Sequence, residues 1–481
     1  MGGGLIQLIA IGPQDVFLTG NPQISFFKMV YKKYTNFSKE CIIQNFSGGG
    51  DKITCTLARN GDLIQEIYLK ITYKITPLNL LITDTTIDPN NRLSINISNV
   101  TNNLITTSDY INLNINDPVY FDYTGTFTGI IKNKIYYINY ININNTSITF
   151  SLKNINNEHI SCSPVGALSI TLHKIKNNYD LTNLIDYIEI DIGGQIIDKH
   201  YSPWLDIYNE LLEKQQINNI KLHNLYNMNI DENGLFKDIN TIYIPLRFWF
   251  NKYPGLALPL ISLQYNDVKI HLNKKNINDE IKKYDIKLDN ISHELLVNYI
   301  FLDIDERKRF SSTSHEYLIE QVQHTGEEIL KLNKNFIDLT FNHPIKALYW
   351  KTNGDAYIKD INITFNGKDR FIKQDENYFH LVQPYENNLN NQGYKINTKT
   401  RIWSLNNTAC SNEYSTGMYS FCLKPNEYHP SGSCNFSRID SSRFNYFGVG
   451  TTGTTNTLYI YAVNYNVLRI INGMAGLVYS N

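Results

Sequence analysis

One glycine-rich string in the chain has the spacing that binds dinucleotide phosphates. The residues GVGTTG at 448–453 fit the pattern G-x-G-x-x-G. That chemistry requires a strand before the glycines and a helix N-terminus after them, because the first amides of the helix bind the pyrophosphate. The residues that follow, TTNTLYIYAV, are β-branched and alternating, which is typical of a strand. The string therefore predicts a loop between two strands.

Two clusters of possible metal ligands have simpler explanations. His315 and Glu316 begin HEYLIEQVQH, but a zincin helix needs H-E-x-x-H, and position 319 is isoleucine. His324 is nine residues beyond His315 and shares neither a helix face nor a strand face with it. The acidic string DIDE at 303–306 could bind a divalent cation through oxygen. Because the basic run RKR follows at 307–309, ion pairs at a domain junction are the favoured interpretation.

Other signatures of catalysis are absent from the sequence. It contains no G-x-S-x-G elbow, no P-loop and no Cys/His pair at a family spacing. The six cysteines lie far apart and form no C-x-x-C pair, which argues against a zinc site and is typical of a reducing compartment. The sequence predicts no catalytic residue, no cofactor-binding residue, no metal ligand and no cofactor. We therefore expect a protein that is not an enzyme.

Bulk properties favour a large protein with a structural or binding role. The 481 residues are enough for about three domains. A net charge of −1 provides no electrostatic attraction for nucleic acid. The opening MGGGLIQL lacks the basic and apolar blocks of a signal peptide. The apolar stretch 244–263 is interrupted by Arg247, Lys252 and three prolines, so it is a poor membrane span, and we expect a soluble protein that is not secreted.

One strand-and-turn pattern occurs twice in the sequence. Alternating apolar residues lead to a glycine turn in IEIDIGGQIIDKHYSPWLDIY, from position 188, and in INITFNGKDRFIKQDENYFHL, from position 361. The corresponding glycines, Gly194 and Gly367, lie 173 positions apart. A second pair of strings, FWFNKYPG from position 248 and YSFCLKPNEYHPSG from position 419, recurs at nearly the same offset. The sequence thus predicts an all-β fold with a duplicated domain.

The elements that form this pattern are predicted to be short strands with turn residues between them. In the first half they are Cys41–Phe46, Lys52–Leu57, Leu63–Thr72, Tyr187–Ile192, Thr241–Phe250, Val268–Leu272 and Leu295–Ile304. In the second half they are Ile337–Phe341, Ile345–Lys351, Ile361–Phe365, Met418–Leu423, Phe444–Phe447, Leu458–Val463 and Val467–Ile471. The best helical pattern is Pro203–Lys214, with an early proline and an apolar face.

The first copy contains an insertion. EIYLK at 66–70 resembles ALYWK at 347–351, but these two strings are 281 positions apart. Compared with the repeat offset of about 175, this leaves roughly 106 additional residues between Thr72 and Asp186. The window is rich in asparagine and isoleucine, and it alternates like strands. It predicts a small β-subdomain at about 76–180 that grew from a loop, since loops tolerate insertions.

Seven long strings carry a resemblance to a known family. They are MGGGLIQLIAIGPQDVFLTGNPQISFFKMVYKKYTNF at the N-terminus, IGGQIIDKHY from 192, PGLALPLISLQYNDVKI from 254, YIFLDIDERKRF from 299, HEYLIEQVQHTGEE from 315, LKPNEYHPSGSCNFSRID from 423 and YNVLRIINGMAGLVYSN from 465. In this order they resemble the major capsid proteins of nucleocytoplasmic large DNA viruses, which include phycodnaviruses, mimiviruses and iridoviruses. The resemblance covers about 1–75 and 180–481. The string IGP at 11–13 departs from the family's aromatic-Gly-Ala, and 76–180 has no counterpart.

The resemblance implies a double jelly roll, meaning two tandem eight-stranded sandwiches with strands B to I in each. Applied to this chain, it divides the sequence into an N-terminal arm at 1–24, a first jelly roll at 25–309 that includes the insertion, and a second jelly roll at 310–481. In the family, the loops between strands D and E and between strands F and G project outward, and the insertion replaces one such loop, between the strand near Leu69 and the strand at Ile188. Because such loops project outward in the family, we expect 76–180 to form an outward-facing cap.

The resemblance also implies a structural function in a virion. The chain is expected to form homotrimers with a pseudo-hexagonal outline, and these capsomers tile an icosahedral shell. The implied partners are itself, neighbouring capsomers, penton and minor capsid proteins, and the internal viral membrane through the N-terminal arm, with no direct contact to nucleic acid. The implied location is the virion capsid, assembled in the viral factory of the host cytoplasm.

Two other functions stay open at the level of sequence. A carbohydrate-binding or carbohydrate-cleaving β-sandwich would account for the many tyrosines and asparagines, and cleavage would need a cleft with paired carboxylates. A minor capsid or penton jelly-roll protein of the same virus is the other alternative. Pentons usually have one jelly roll, so the repeat argues against that reading. The mass of the oligomer discriminates between these functions.

Overall fold

The structure is a computed structural model in which most of the chain is described. The described residues are 9–10, 12, 19–25, 27–29, 31–77, 94–101, 103–108, 113, 115, 118–123, 126–131, 136–143, 147–154, 158–165, 170–174, 184–213, 240–275, 286–330, 336–353, 357–389, 416–450 and 457–479.

Strands dominate the described residues. The first part of the chain contains β1 Phe37–Asn45, β2 Lys52–Thr56, β3 Leu63–Pro77, β4 Ser94–Thr101, β5 Leu104–Thr107, β6 Pro118–Tyr123, β7 Thr126–Thr128, β8 Tyr136–Ile143, β9 Ile148–Lys153, β10 Ser163–Val165, β11 Ile170–Lys174, β12 Ile185–Ile192, β13 Gln195–Tyr201, β14 Asn240–Pro245, β15 Leu258–Pro259, β16 Val268–Lys274 and β17 Ile286–Leu302. The second part contains β18 His315–Ile329, β19 Phe336–Asp338, β20 Pro344–Asn353, β21 Tyr357–Phe365, β22 Lys368–Asp369, β23 Gln374–Asp375, β24 Thr416–Ser420, β25 Cys434–Asn435, β26 Ser442–Gly450, β27 Thr457–Ile471 and β28 Met474–Leu477.

Helices in the described part of the chain are short and lie between strands. The α-helices are α1 Ser202–Ile207, α2 Trp249–Lys252, α3 Ile304–Ser312 and α4 Gln383–Glu386. A π-helical turn, Tyr208–Leu212, continues α1, and another, Tyr378–Val382, precedes α4. Short 3-10 turns occupy Pro254–Leu256, Leu260–Ser262 and Phe436–Arg438. In each copy a helical segment comes after the fifth main strand: segment 202–212 follows β13, and segment 378–386 comes after β22.

The first sandwich is made of two antiparallel sheets. One sheet has the order β1-β17-β3-β14, with β15 also paired to β3, and the other has the order β13-β12-β16-β2. Numbered along the sandwich, the eight main strands lie in the orders 1-8-3-6 and 5-4-7-2. This is the connectivity of a jelly roll, in which two Greek keys bring distant strands together. Apolar side chains from both inner faces form one core that includes Ile64, Leu69, Ile188 and Ile270.

The second sandwich has the same connectivity. Its sheets are ordered β18-β27-β20-β24 and β19-β26-β21-β22, with β25, β28 and β23 as short additions. Counted in the same way, these orders are again 1-8-3-6 and 2-7-4-5. The core contains Trp350, Ile361, Phe379 and Phe444. The predicted all-β double jelly roll is therefore confirmed.

The repeated glycines are explained by two matching hairpin turns. Between β12 and β13, Gly193 and Gly194 have φ values of 63° and 89°, and between β21 and β22, Asn366 and Gly367 have φ values of 48° and 76°. A two-residue hairpin turn with positive φ at both positions matches the twist of the flanking strands, and asparagine and glycine tolerate it best. The sequence repeat thus marks one turn made twice.

A closed barrel interrupts the first sandwich between β3 and β12. Its six strands are ordered β11-β4-β5-β9-β8-β6, and pairing of β11 with β6 closes the cylinder. Its interior is filled by side chains such as Ile105, Phe121, Phe150 and Leu172. The barrel lies inside the predicted insertion at 76–180, on the connection from the third to the fourth strand of the first jelly roll. Closure leaves the barrel without open sheet edges.

Some predicted elements were wrong. Leu458–Val463 and Val467–Ile471 are parts of one strand, because Asn464 and Asn466 are buried and hydrogen bonded between them. No strand was predicted for His315–Ile329, which is a 15-residue strand. The predicted strand Thr241–Phe250 ends at Pro245, and α2 follows. The predicted helix Pro203–Lys214 corresponds to 202–212, while Lys214 lies outside the described residues.

Candidate functional site at the seam between the two jelly rolls

The histidines that resemble metal ligands are held by packing contacts. His315 stacks on Phe310 with ring centroids 5.1 Å apart and is hydrogen bonded to its carbonyl oxygen at 2.8 Å. His324, farther along the same strand, stacks on Tyr461 at 4.4 Å. Burial lowers the pKa of His324, so its ring is uncharged near neutral pH. The two rings belong to separate local contacts and share no ligand position.

The acidic string at 303–306 begins helix α3, which connects the two sandwiches. The Asp303 side chain accepts a hydrogen bond from the Ile304 amide at 2.7 Å and so caps the helix. Arg307 on this helix forms an ion pair with Asp62 of the first jelly roll at 2.9 Å. The structure therefore places ion pairing at this junction. Within the described residues, no group of His, Cys, Asp or Glu side chains could hold a metal ion.

The glycine-rich string at 448–453 begins within a strand. Gly448 and Gly450 are among the last residues of strand β26, while 451–453 lie outside the described residues. The next described element is another strand, β27.

Among the described helices, none has the length and apolar composition needed to cross a bilayer.

A buried apolar contact joins the two jelly rolls, and we call it the seam. Segment 202–212 of the first jelly roll lays a stripe of apolar side chains on the outer face of the sheet β18-β27-β20-β24 of the second. The stripe consists of Trp204, Ile207, Tyr208 and Leu211, whose spacing of i, i+3, i+4 and i+7 forms one face of a helix. The sheet contributes Ala347, Tyr349, Met418, Tyr461 and Val463.

Aromatic side chains form the centre of this seam. Trp204 is fully buried and meets Tyr349 edge-on, with ring centroids 5.5 Å apart, and Tyr461 at 5.7 Å. Such pairs contribute roughly 0.5–1.5 kcal/mol beyond the area that they bury. Because Trp204 belongs to one jelly roll and the tyrosines to the other, these contacts fix the two sandwiches relative to one another.

Three charged side chains are enclosed at the same seam. Glu320 of β18 pairs with Lys252 of α2 at 2.9 Å and with Lys346 of β20, whose side chain is only 2% exposed. Burial by itself raises the pKa of Glu320, but the two ammonium groups outweigh it, and the pKa falls below its ordinary value. Burial likewise opposes the charge on Lys252, but Glu320 raises the pKa of this lysine. Glu320 and Lys252 are therefore charged in the folded chain.

Backbone and loop contacts complete the seam. The Val322 amide donates to Asp198 Oδ1 at 3.0 Å, which ties β18 to β13 of the first jelly roll. The Tyr253 hydroxyl donates to the Asn426 carbonyl at 2.9 Å, and the Asn426 side chain donates to the Leu212 carbonyl at 3.1 Å. The cavity beside Tyr253 and Asn426 has a volume of about 10 Å³. That is room for about one water molecule and is too small for a sugar ring.

The seam was not predicted from the sequence, although one signal for it was visible. The helical pattern at Pro203–Lys214 is apolar on two sides, which is unusual for a helix that covers only one core. Leu205 lies in the core of the first jelly roll, whereas Trp204 and Tyr208 lie in the seam. A helix with two apolar faces in a β protein indicates that it is buried between two layers.

Family profiles match most of the chain. A profile described as the major capsid protein N-terminus matches residues 25–133 and 142–303. A second profile, described as the large eukaryotic DNA virus major capsid protein, matches residues 306–357 and 411–476. The gap between the two profiles falls at helix α3, where the structure passes from one jelly roll to the other.

Individual relatives agree with the profiles. The chain is 36% identical to the major capsid protein of Pyramimonas orientalis virus and 30% identical to that of Paramecium bursaria Chlorella virus 1, and each alignment covers both proteins completely. Among solved structures, a quasi-atomic model of the PBCV-1 virus capsid matches with a TM-score of 0.62 and 25% identity, covering 95% of this chain and 100% of that one. The Faustovirus major capsid protein shares the fold, with a TM-score of 0.57 at 12% identity, over 96% of this chain and 94% of that one.

Proposed function

The chain belongs to the major capsid protein family of large eukaryotic DNA viruses, and from this premise we propose that it builds the shell as a homotrimer. It is a structural component of the virion capsid, and it assembles into the capsid lattice. In the proposed trimer, six jelly rolls from three chains surround a threefold axis and give the capsomer a pseudo-hexagonal outline. The role assigned to the chain is assembly without catalysis.

The observation that carries this proposal is the seam within one chain. Its two sides are different surfaces, a helical segment on the first jelly roll and a sheet face on the second. A contact between unlike surfaces is heterologous, and repeated heterologous contacts close into a ring when the rotation permits. Two jelly rolls that share one fold and are joined in this way supply a third of a six-membered ring. Three chains would complete it.

The mass of the purified chain tests the proposal. We expect a particle of about 167 kDa, three times the 55.6 kDa of one chain, in light scattering after size-exclusion chromatography. A monomer of 55.6 kDa or a twofold dimer would contradict the proposal. The alternative of a carbohydrate-binding protein predicts a monomer that binds sugar, and the alternative of a minor capsid protein predicts no uniform lattice of trimers.

The proposed partners and location extend this function. We propose that neighbouring capsomers, penton proteins and minor capsid proteins contact the trimer, that the N-terminal arm faces the internal membrane, and that assembly takes place in the viral factory of the host cytoplasm. The division into an arm at 1–24, a first jelly roll at 25–309 and a second jelly roll at 310–481 is part of the same proposal. It is supported by the position of helix α3 between the sandwiches.

The barrel is proposed to be the outward cap of the capsomer. Replacing residues 78–183 with a flexible Gly/Ser linker removes it and keeps β3 and β12. Because the barrel has its own closed core, we expect the shortened chain to remain a trimer with a smaller surface protrusion in electron micrographs. Loss of folding in the flanking strands, seen as insoluble protein or a collapsed β signal in circular dichroism, would show that the barrel is instead part of the sandwich.

The N-terminal arm is proposed to act between capsomers and not within one. The deletion of residues 1–22 stops well before β1, which begins at Phe37, so both sandwiches keep all their strands. The truncated chain is expected to form trimers with the same mass per particle but to assemble shells less efficiently. Counting complete shells per unit protein by electron microscopy measures this. Shell yields equal to those of the full-length chain would contradict the assigned role.

A further inference from the structure

We propose that one outer face of the barrel, formed by strands β4, β5, β9 and β8, binds neutral glycans, meaning polysaccharides without charged groups. This function goes beyond the structural role proposed for the chain and does not depend on the trimer. Four observations support it: a row of amides and hydroxyls, two tyrosines that a bulge brings to the same face, a near absence of charge, and burial on the opposite side of the barrel.

Strand register defines the outer face of the barrel. On β9, Phe150 and Leu152 fill the interior, so the alternating residues Thr149, Ser151 and Lys153 point outward. The residues that pair with these three on the neighbouring strands point outward as well, because directly paired residues share one face of a sheet. The outward residues of the four strands together form one continuous surface, which we call the barrel face.

One row of the barrel face has amides at its ends and hydroxyls between them. The register pairs Asn99 with Thr106, Thr106 with Thr149, and Thr149 with Asn142. The two threonine hydroxyl oxygens lie 3.2 Å apart and share a hydrogen bond, and both asparagines are exposed. Amides and hydroxyls both donate and accept hydrogen bonds, as the hydroxyls of a sugar also do. The row therefore offers partners for several sugar hydroxyls.

Two tyrosines lie beside this row on β8. Tyr140 pairs with Ser151 and Tyr137 pairs with Lys153, so both tyrosines belong to the barrel face. Strict alternation would place residues three positions apart on opposite faces of a strand. A bulge between Ile138 and Tyr140 adds one residue and so brings both tyrosines to the outside. Tyr140 is 50% exposed, and Tyr137 is half-buried.

Exposed aromatic rings beside neutral hydrogen-bonding groups match the chemistry of a sugar ring. A pyranose has a face of C–H bonds, which packs on an aromatic ring, and a rim of hydroxyls, which need hydrogen-bond partners. Tyrosine provides a large, rigid contact area at a low cost in conformational entropy. Because Tyr137 and Tyr140 follow one strand, an extended glycan could contact both rings while the row of Thr149 and Asn142 binds its hydroxyls.

The charge of the barrel face argues against other classes of ligand. Lys153 is the only charged residue in β4, β5, β8 and β9 as the structure describes them. Nucleic acid and sulfated glycans require a cluster of basic side chains, and a lipid surface requires a broad apolar one. Neither aspartate nor glutamate occurs in these four strands, so the paired carboxylates of a glycosidase are missing from them. The face is therefore suited to binding without cleavage.

The opposite side of the barrel is covered by the rest of the chain. On β6, Val119 and Phe121 fill the interior, so Tyr120 between them points outward. Tyr120 is nevertheless only 1% exposed, in contrast to Tyr140 on the barrel face. The barrel thus packs through its β6 side and leaves the barrel face open to a ligand.

Titration calorimetry with short oligosaccharides tests the site, because the affinity per site does not depend on the oligomer. The neutral probes are cellohexaose, laminarihexaose, mannohexaose and chitohexaose, and a heparin hexasaccharide serves as the charged comparison. We expect the full-length chain to bind at least one neutral probe. The chain in which a Gly/Ser linker replaces residues 78–183 should bind none of them.

Single substitutions locate the binding on the barrel face. Tyr140→Ala and Asn142→Ala are each expected to weaken binding of that probe about tenfold, whereas Tyr140→Phe should retain most of it because the ring remains. Tyr265→Ala is the matched control, since Tyr265 is 76% exposed but lies between β15 and β16 of the first sandwich. It should bind like the wild type. Circular dichroism and thermal melting establish that each variant is folded.

Three results would overturn the inference. The first is no binding to any neutral probe at concentrations up to roughly 10 mM, which would reveal even a millimolar dissociation constant. The second is binding of the heparin fragment alone, which would assign the contact to Lys153 and exclude the neutral class. The third is equal affinity in Tyr140→Ala and the wild type, or a loss of the 167 kDa particle in Tyr140→Ala, which would make the face a contact between copies.

These outcomes are separate from the fate of the trimer. Sugar binding that depends on Tyr140, found in a monomer of 55.6 kDa, would support this inference and contradict the proposed trimer. A 167 kDa trimer without sugar binding would do the reverse. If both hold, the many barrels of one shell would bind a polysaccharide surface together, and their combined avidity would exceed the affinity of one barrel.

Discussion

Glu320→Ala is expected to lower the free energy of unfolding by about 3–5 kcal/mol. Glu320 is the only anion in the enclosed group that it forms with Lys252 and Lys346 among the described side chains. Its removal leaves the side chains of Lys252 and Lys346 enclosed at the seam without their carboxylate partner, and burial opposes the charge on Lys252. The cost is that of leaving buried charges unpaired, and it exceeds the net contribution that the intact group makes to stability.

The size of this effect can be measured against a matched control. Guanidinium unfolding followed by tryptophan fluorescence, at one fixed protein concentration, should show the midpoint of Glu320→Ala shifted far below that of the wild type. Glu316→Ala is the control, because Glu316 lies on the same strand and pairs with Arg469 at 2.7 Å, but its side chain is 59% exposed. An exposed pair contributes about 0–1 kcal/mol. Equal midpoints for the two variants would contradict the assigned role of the enclosed charges.

Trp204→Ala is expected to have a similarly large effect, about 3–5 kcal/mol, for a different reason. The indole is fully buried, and its removal leaves a cavity between the jelly rolls where it contacted Tyr349 and Tyr461. The lost contacts all join one sandwich to the other. We therefore expect the two sandwiches to separate transiently more often, in addition to the loss of stability.

Limited proteolysis distinguishes this effect from ordinary core damage. Helix α3 joins the sandwiches, has no buried side chain and contains Arg307, Lys308 and Arg309, so trypsin can cut it when the seam opens. Cleavage there should be faster in Trp204→Ala than in the wild type. The control is Trp350→Ala, which damages the core of the second jelly roll at a similar cost. If both variants are cut at 307–309 at the same rate, the seam is not what Trp204 holds.

Much of the fold could be predicted because its signals are local. The alternation at Ile188, Ile190 and Ile192 follows from the pleat, which places every second side chain in the core. The glycine turns repeat because only a few residues tolerate positive φ at both turn positions. These constraints act within a few residues, so they can be read from a single sequence, and their recurrence at one offset revealed the duplication.

The seam could not be predicted, because its partners lie far apart along the chain. Lys252, Glu320 and Lys346 are ordinary charged residues until the fold encloses them together. Asn464 and Asn466 illustrate the same limit, because these polar residues led to the prediction of two strands where the structure has the single strand β27. In the structure, Asn464 accepts from Gln323 and Asn466 donates to Gln321 of the neighbouring strand, which satisfies both inside the sheet.

Two unequal copies of one sandwich in each chain would allow a trimer to have a pseudo-hexagonal outline. Electron microscopy of the purified wild-type chain tests this most directly, with the particle averaged without imposed symmetry. We expect a threefold particle with a hexagonal outline, built from six jelly rolls that alternate between first and second copies, with three barrels on one face. A twofold particle, or a ring in which first copies contact first copies, would contradict it.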